Sequence, residues 1–240
     1  MIVAVFWGAV GAAALLLGAV LAYAFSPSRK VIAVVMAVGT GVLIGSVSFE
    51  LVEEALENRD VASVAVLVLV GAGAFTFGDW VIERGGGAER KDPMGAQAEG
   101  SPLAIVLGSI LDGIPESFVL GLTVLQGGVS VSLLAGVALS NLPEGMASSS
   151  GLRKAGWPTR RVVLLWGAVI LVSAVSAGLG YLLLDPMSGR TGALVQAFAA
   201  GALLAMLADT LLPEAYAVEG IWTGALVVFG FAVSLALSAL

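Results

Sequence analysis

Polar and charged residues in this chain fall in short clusters, and between them the sequence stays apolar for about twenty positions at a time. The first apolar run is Ile2 to Phe25, and others cover roughly 31–52, 61–82, 102–125, 129–151, 162–184, 192–214 and 221–240. A helix of about 20 apolar residues spans the hydrocarbon core of a bilayer. The pattern therefore predicts an all-α integral membrane protein, a single polytopic domain over 1–240 with eight transmembrane helices. Barrel strands would alternate with period two over about ten residues, and no run does so. Ala22-Tyr23-Ala24 has the small-residue look of a signal-peptide cleavage site. However, no basic segment precedes that uncharged run, and it is longer than an h-region, so it is expected to remain as a first helix.

Composition narrows the class. The 240 residues are 59% hydrophobic and 12% charged, against about 25% charged in soluble domains. Mean hydropathy is +1.03. With no Cys there is no disulfide framework and no thiolate metal site. With no His, the commonest transition-metal ligand and the usual proton shuttle are gone. A net charge of −6 argues against nucleic acid as a partner. The 32 glycines suit close helix packing through small residues.

Basic residues set the expected orientation. Arg29 and Lys30 lie in the first connection, Arg84, Arg90 and Lys91 in the third, and Arg153, Lys154, Arg160 and Arg161 in the fifth. The even-numbered connections hold Arg59 and Arg190. Odd connections are thus expected in the cytoplasm and both termini outside. The segment 83–101, rich in glycine and charge, is expected to be a flexible cytoplasmic loop. There is also a weak repeat: "GVLIGSVSFELVEEA" (41–55) and "GALLAMLADTLLPEA" (201–215) align at an offset of 160. They share Gly41/Gly201, Leu43/Leu203, Leu51/Leu211, Glu54/Glu214 and Ala55/Ala215. It relates the second run to the seventh, which cross in opposite directions, as in an inverted-repeat transporter.

The chemistry lies in the acids. Asp112, Glu116, Glu144 and Asp209 fall inside apolar runs, whereas every basic residue lies in a connection or at a run's end. A carboxylate at such depth costs about 2.5–3.5 kcal/mol even on the lenient insertion scale. These four therefore require a cation, a proton or a water-filled path. Asp112 and Glu116 are four residues apart and share a helix face, as do Ser140 and Glu144, with Asn141 three before Glu144. Pro115 and Pro143 each kink a helix and free a carbonyl one turn back, at Leu111 and Leu139. Paired prolines and acids at matched depth make an oxygen-rich cation site, with Leu111 and Leu139 as further oxygen donors. Glu50, Glu54, Glu214 and Asp79 lie nearer run ends and read as secondary or vestibule positions. Glu53, Glu57 and Asp60 complete, with Glu54, a solvated acidic rim, and Ser148, Ser149 and Ser150 read as packing and a helix end.

These motifs resemble the ZIP family of divalent metal-ion transporters. The family's helix-4 signature, His-Asn-x-Pro-Glu-Gly, is matched by "DGIPES" (112–117), with Asp112 in the His place and Glu116 retained. Its helix-5 signature, His-Asp/Glu-x-Pro-Glu/His, is matched by "SNLPEG" (140–145), with Ser140 in the His place, Asn141 in the acid place and Glu144 retained. "AAGALLAMLADTLLPEAY" (199–216) is similar to the later helix that adds an acidic ligand, here Asp209. The resemblance implies eight helices in a 3+2+3 arrangement, helices 1–3 being inverted onto 6–8, both termini outside, and a metal site on helices 4 and 5. It implies zinc or iron as cargo. A donor set of carboxylates, one amide and one hydroxyl suits Mg²⁺, Mn²⁺ or Ca²⁺ better.

The function expected is divalent-cation transport across the cell membrane by alternating access, without catalytic residues or a resident cofactor. Zinc, iron and manganese head the cargoes, with magnesium and calcium behind them. The partners are the ion, the lipid bilayer and, for the assembly, a homodimer. Two other readings stay open. One is an intramembrane lipid-phosphate phosphatase, since "NLPEGMASSSGL" is superficially similar to undecaprenyl pyrophosphate phosphatases. The other is a non-transporting homologue that has lost the histidines.

Overall fold

The computed structural model describes residues 1–84, 102–125, 128–184 and 189–239. Among them the regular structure is entirely helical. In chain order the rods are α1 (Ile2–Phe25), α2 (Arg29–Asn58), α3 (Val61–Ile82), α4 (Pro102–Leu125), α5 (Val131–Lys154), α6 (Thr159–Leu184), α7 (189–219) and α8 (Trp222–Leu237). Five of the described rods, α1, α2, α3, α6 and α7, are long and apolar enough to cross a membrane. α8 is apolar but shorter, and α5 is diluted by its serines, Asn141, Glu144 and terminal bases. Large apolar side chains such as Leu69, Phe77, Val228 and Phe229 point outward, as a lipid-facing surface requires. Residues 85–101, most of the expected loop, lie outside the described residues.

The ends of the apolar runs do not end the helices. α2 continues through Glu53–Asn58 and α7 through Leu212–Glu219, because Glu, Ala and Leu favour helix with or without lipid around them. The chain is extended at Arg59, and Asp60 then caps α3, accepting from the Ser63 N–H at 3.0 Å and its hydroxyl at 2.7 Å. Those bonds hold the exposed Asp60 carboxyl below its ordinary range. α7 stops at Gly220, whose φ of 59° suits a residue without Cβ.

Each of α2 and α7 contains a π-helical stretch, Val47–Val52 and Leu207–Leu211. Glu53 N–H bonds to the Ser48 carbonyl, and Leu212 N–H to that of Leu207, five residues back in both cases. The two stretches begin 160 residues apart, at the offset of the sequence repeat. The extra residue in each rotates the side chains beyond it around the helix axis.

The rods sort into two groups of four, not by chain order. α1, α4, α5 and α6 pack together, and α2, α3, α7 and α8 form the second group. The two central helices, α4 and α5, therefore pack with α1 and α6. Glycines set the closest approaches. A side chain at Gly41 would run into the Val227 carbonyl of α8, and one at Gly201 into the Val68 carbonyl of α3. Gly230 meets the Val38 carbonyl, and Gly71 that of Phe198. The α2–α8 contacts thus recur as α7–α3 contacts about 160 residues on. In the first group, Gly18 and Gly145 bind α1 to α5, as Gly121 and Gly180 bind α4 to α6.

The contact registers give direction. Ser109 and Glu116 of α4 meet Glu144 and Ser140 of α5, so these helices are antiparallel. Gly39, Leu43 and Ser46 of α2 meet Leu139, Gly136 and Ser132 of α5, again antiparallel. This last contact is the main seam between the groups. By contrast, α7 touches α4 lightly among the described residues.

Candidate functional site

The centre of the first group is polar. α4 brings Asp112 and Glu116 inward, and α5 brings Ser140, Asn141 and Glu144 to the same depth. Asp112, Glu116, Ser140 and Asn141 are all buried, and Glu116 is only 2% exposed. The Ser140 hydroxyl donates to Glu116 Oε1 at 2.9 Å and also lies 2.9 Å from the Val137 carbonyl. The Ser109 hydroxyl donates to Glu144 Oε1 at 2.7 Å. Asn141 donates to the Gly11 carbonyl of α1 at 3.2 Å and lies within reach of Glu116. Glu144 and Asp112 stand close enough for their charges to act on Glu116. Glu116 Oε2 is buried without a hydrogen-bond partner. An ionised oxygen held that way costs several kcal/mol unless something positive reaches it.

The carboxylates do not close on one point by themselves. Among the described residues, no three Asp or Glu side chains converge tightly enough to hold a metal ion. An ion here would need the hydroxyl and amide oxygens as well, or a small approach of α4 to α5. The Leu139 carbonyl freed by Pro143, expected as an extra ligand, instead lies against α2, 2.7 Å from where a Cβ on Gly39 would stand. The prolines themselves are accommodated inside α4 and α5.

The outlying acids separate. Asp209, expected to join the centre, is exposed on the π stretch of α7, and its Oδ2 lies 3.5 Å from the Thr76 hydroxyl of α3, within the second group. Asp79 is buried on α3. Glu50 and Glu54 line a cavity of about 760 Å³ at one end of the seam, with Glu53, Glu57, Ser130 and Ser132. Glu54 also has Gln196 of α7 within hydrogen-bonding reach. Glu214 lines a second cavity of about 600 Å³ at the opposite end, beside Arg29, Arg153 and Lys154. One mouth is therefore acidic and the other mainly basic. The basic mouth reaches Met36 and Ala147, one turn from Glu144, whereas the acidic one stops at Ser132, about two turns short of Ser140.

Sequence reading missed Ser109 and a buried cluster of Ser46 (α2), Ser132 (α5) and Ser234 (α8). Their hydroxyl oxygens are 2.6, 2.8 and 3.3 Å apart. A signal existed for two of them. Ser109 precedes Asp112 by three residues, and Ser132, Gly136, Ser140, Glu144 and Ser148 recur every four along α5, which marks a polar and small-residue stripe. Ser149 and Ser150 are packing residues as expected: Ser149 accepts from the Trp166 indole at 2.9 Å, and Ser150 donates to the Met146 carbonyl at 2.7 Å. No protein-family model matches the sequence, and no curated protein is significantly similar to it.

Proposed function

We propose that this protein is a ZIP-like divalent-cation transporter with eight membrane crossings, its ion site lying between α4 and α5. The carrying observation is Glu116: a buried carboxylate with one unpartnered oxygen, flanked by Glu144 and Asp112, inside a helical bundle. A cation supplies what that oxygen lacks. Glu116, Glu144, Asp112, Ser140 and Asn141 would offer oxygen donors, a set suited to Mn²⁺ or Mg²⁺ and weaker for Zn²⁺ than one with histidine. The ion is cargo, so the site must also let it go, and a donor set that does not close fully is compatible with that.

Alternating access is supported by the internal correspondence. The α2–α8 contacts have α7–α3 counterparts, and α2 and α7 run in opposite directions, the π stretch of α2 packing on the first part of α7 and the end of α7 on the first part of α2. Within groups the correspondence holds, but across the seam it breaks: α2 packs along α5, while α7 touches α4 lightly. Exchanging that inequality between the two seams would expose the site to the other side. With basic residues in the cytoplasm, the acidic mouth is outside and collects cations. No observation favours the lipid-phosphate phosphatase, since Ser149 and Ser150 are occupied in packing.

The test is uptake by proteoliposomes offered Mn²⁺, Fe²⁺, Zn²⁺, Co²⁺, Cd²⁺ and Mg²⁺ in turn. Saturable flux of at least one ion, lost in Glu116→Gln, is expected. Absence of flux for all six, from protein that is folded and correctly inserted, would overturn the proposal.

A further inference from the structure

We propose a second divalent-cation site, separate from the α4–α5 centre, formed at the floor of the acidic cavity by the Glu50 carboxylate with the Ser130 and Ser132 hydroxyls. This rests on the reading of the protein as a cation transporter.

Oxygen donors converge here from three helices. Glu50 comes from the π stretch of α2, Ser130 and Ser132 from the start of α5, and Ser238 from just beyond α8, and all four line the same cavity. Even so, Glu50 Oε2 is buried with no hydrogen-bond partner. Ser130 already accepts the Leu133 N–H at 2.9 Å as the cap of α5, which leaves its remaining lone pair for another partner. Behind Ser132 stand Ser46 and Ser234, buried completely, with hydroxyl oxygens 2.6 and 2.8 Å from that of Ser132. They fix the Ser132 rotamer, as the hydrogen-bond partners of a metal ligand do.

The cavity's charge agrees. Among the described residues its lining includes Glu50, Glu53, Glu54 and Glu57 and no basic residue. One or two carboxylates with hydroxyls and retained water form the usual shell of a hard divalent ion. Glu50 belongs to one helix group, whereas Ser130 and Ser132 belong to the other. An ion held between them bridges the seam at its acidic end, two turns before the central site. It would be a first station where the ion exchanges part of its water for protein oxygen.

The experiment counts Mn²⁺ bound to the purified full chain in detergent, by electron paramagnetic resonance. Wild type should bind two ions per chain. Glu50→Gln should remove one and leave the other. The double variant Glu116→Gln/Glu144→Gln should do the converse. Thermal unfolding identifies variants that fail to fold. If Glu50→Gln is one of them, Ser130→Ala/Ser132→Ala takes its place, with at least a tenfold loss of affinity expected at one of the two sites. If both outer variants keep the wild-type stoichiometry and affinities, the second site is refuted, and the central site stands or falls with its own variant. If a single ion is lost in Glu50→Gln and kept in the central double variant, the outer site holds and the central one is refuted. No Mn²⁺ on folded wild type overturns both.

Discussion

Ser140 of α5 donates its hydroxyl proton to Glu116 of α4 at 2.9 Å, across two antiparallel helices. That bond, together with the one from Ser109 to Glu144, keeps the two Pro-Glu segments at one depth. Ser140 also occupies the place where the family resemblance has a histidine. The same residue thus serves as second-helix anchor and candidate ligand.

Neutralising either glutamate tests the centre. Glu116→Gln and Glu144→Gln keep size and shape, and losing a buried charge eases burial. Each should weaken Mn²⁺ binding at the α4–α5 centre by more than about 100-fold, the upper range for mere outer-shell changes, with unchanged thermal unfolding. Calorimetry in detergent reads both quantities. Wild-type affinity in either variant would place the ion elsewhere.

Ser140→His adds a nitrogen ligand beside Glu116. The Zn²⁺ preference over Mn²⁺ and Mg²⁺ should rise, because imidazole favours zinc. Competition titrations of the three ions measure it. An unchanged preference in folded protein would mean that position 140 does not contact the ion.

Acid should release the metal. Protons and cations compete for the same carboxylate oxygens, so Mn²⁺ affinity should fall steadily as pH is lowered. In Glu116→Gln/Glu144→Gln the pH-dependent binding of the ion at the α4–α5 centre should be gone. Titrations at a series of pH values compare the two slopes.

Packing variants test the recurring contacts. Leucine at Gly145 or Gly201 would drive a side chain into the Leu15 or Val68 carbonyl, costing at least the roughly 1–3 kcal/mol of ordinary overpacking. Alanine at Gly73 or Gly167, where nothing lies within 4 Å, should be neutral or stabilise by up to about 1 kcal/mol. Melting temperatures in one detergent separate the two classes.

The chain has no native cysteine, so single cysteines report sidedness cleanly. Asn58→Cys, past the acidic mouth, should react with an impermeant thiol reagent on intact cells. Ala155→Cys, at the basic end, should react only after lysis. The reverse pattern would invert the orientation drawn from the basic residues.

The sequence alone was enough to place the helices and the positions of the acids along them. Apolar run length and the position of Pro115, Glu116, Pro143 and Glu144 within the runs are local properties, so counting residues at a fixed rise recovers them. The ends of α2 and α7 lie beyond their apolar runs because helix propensity continues where apolar character stops. Which faces meet was a tertiary decision. Along α3 nearly every side chain is apolar, so nothing in its pattern says which side faces α7 and which faces lipid. The grouping of α4 and α5 with α1 and α6, the Ser46–Ser132–Ser234 cluster, and the placing of Asp209 beside Thr76 all depend on helix rotation. That rotation is set by where backbones can approach at glycine and by how the π stretches turn α2 and α7, and both are relations between helices distant in the chain.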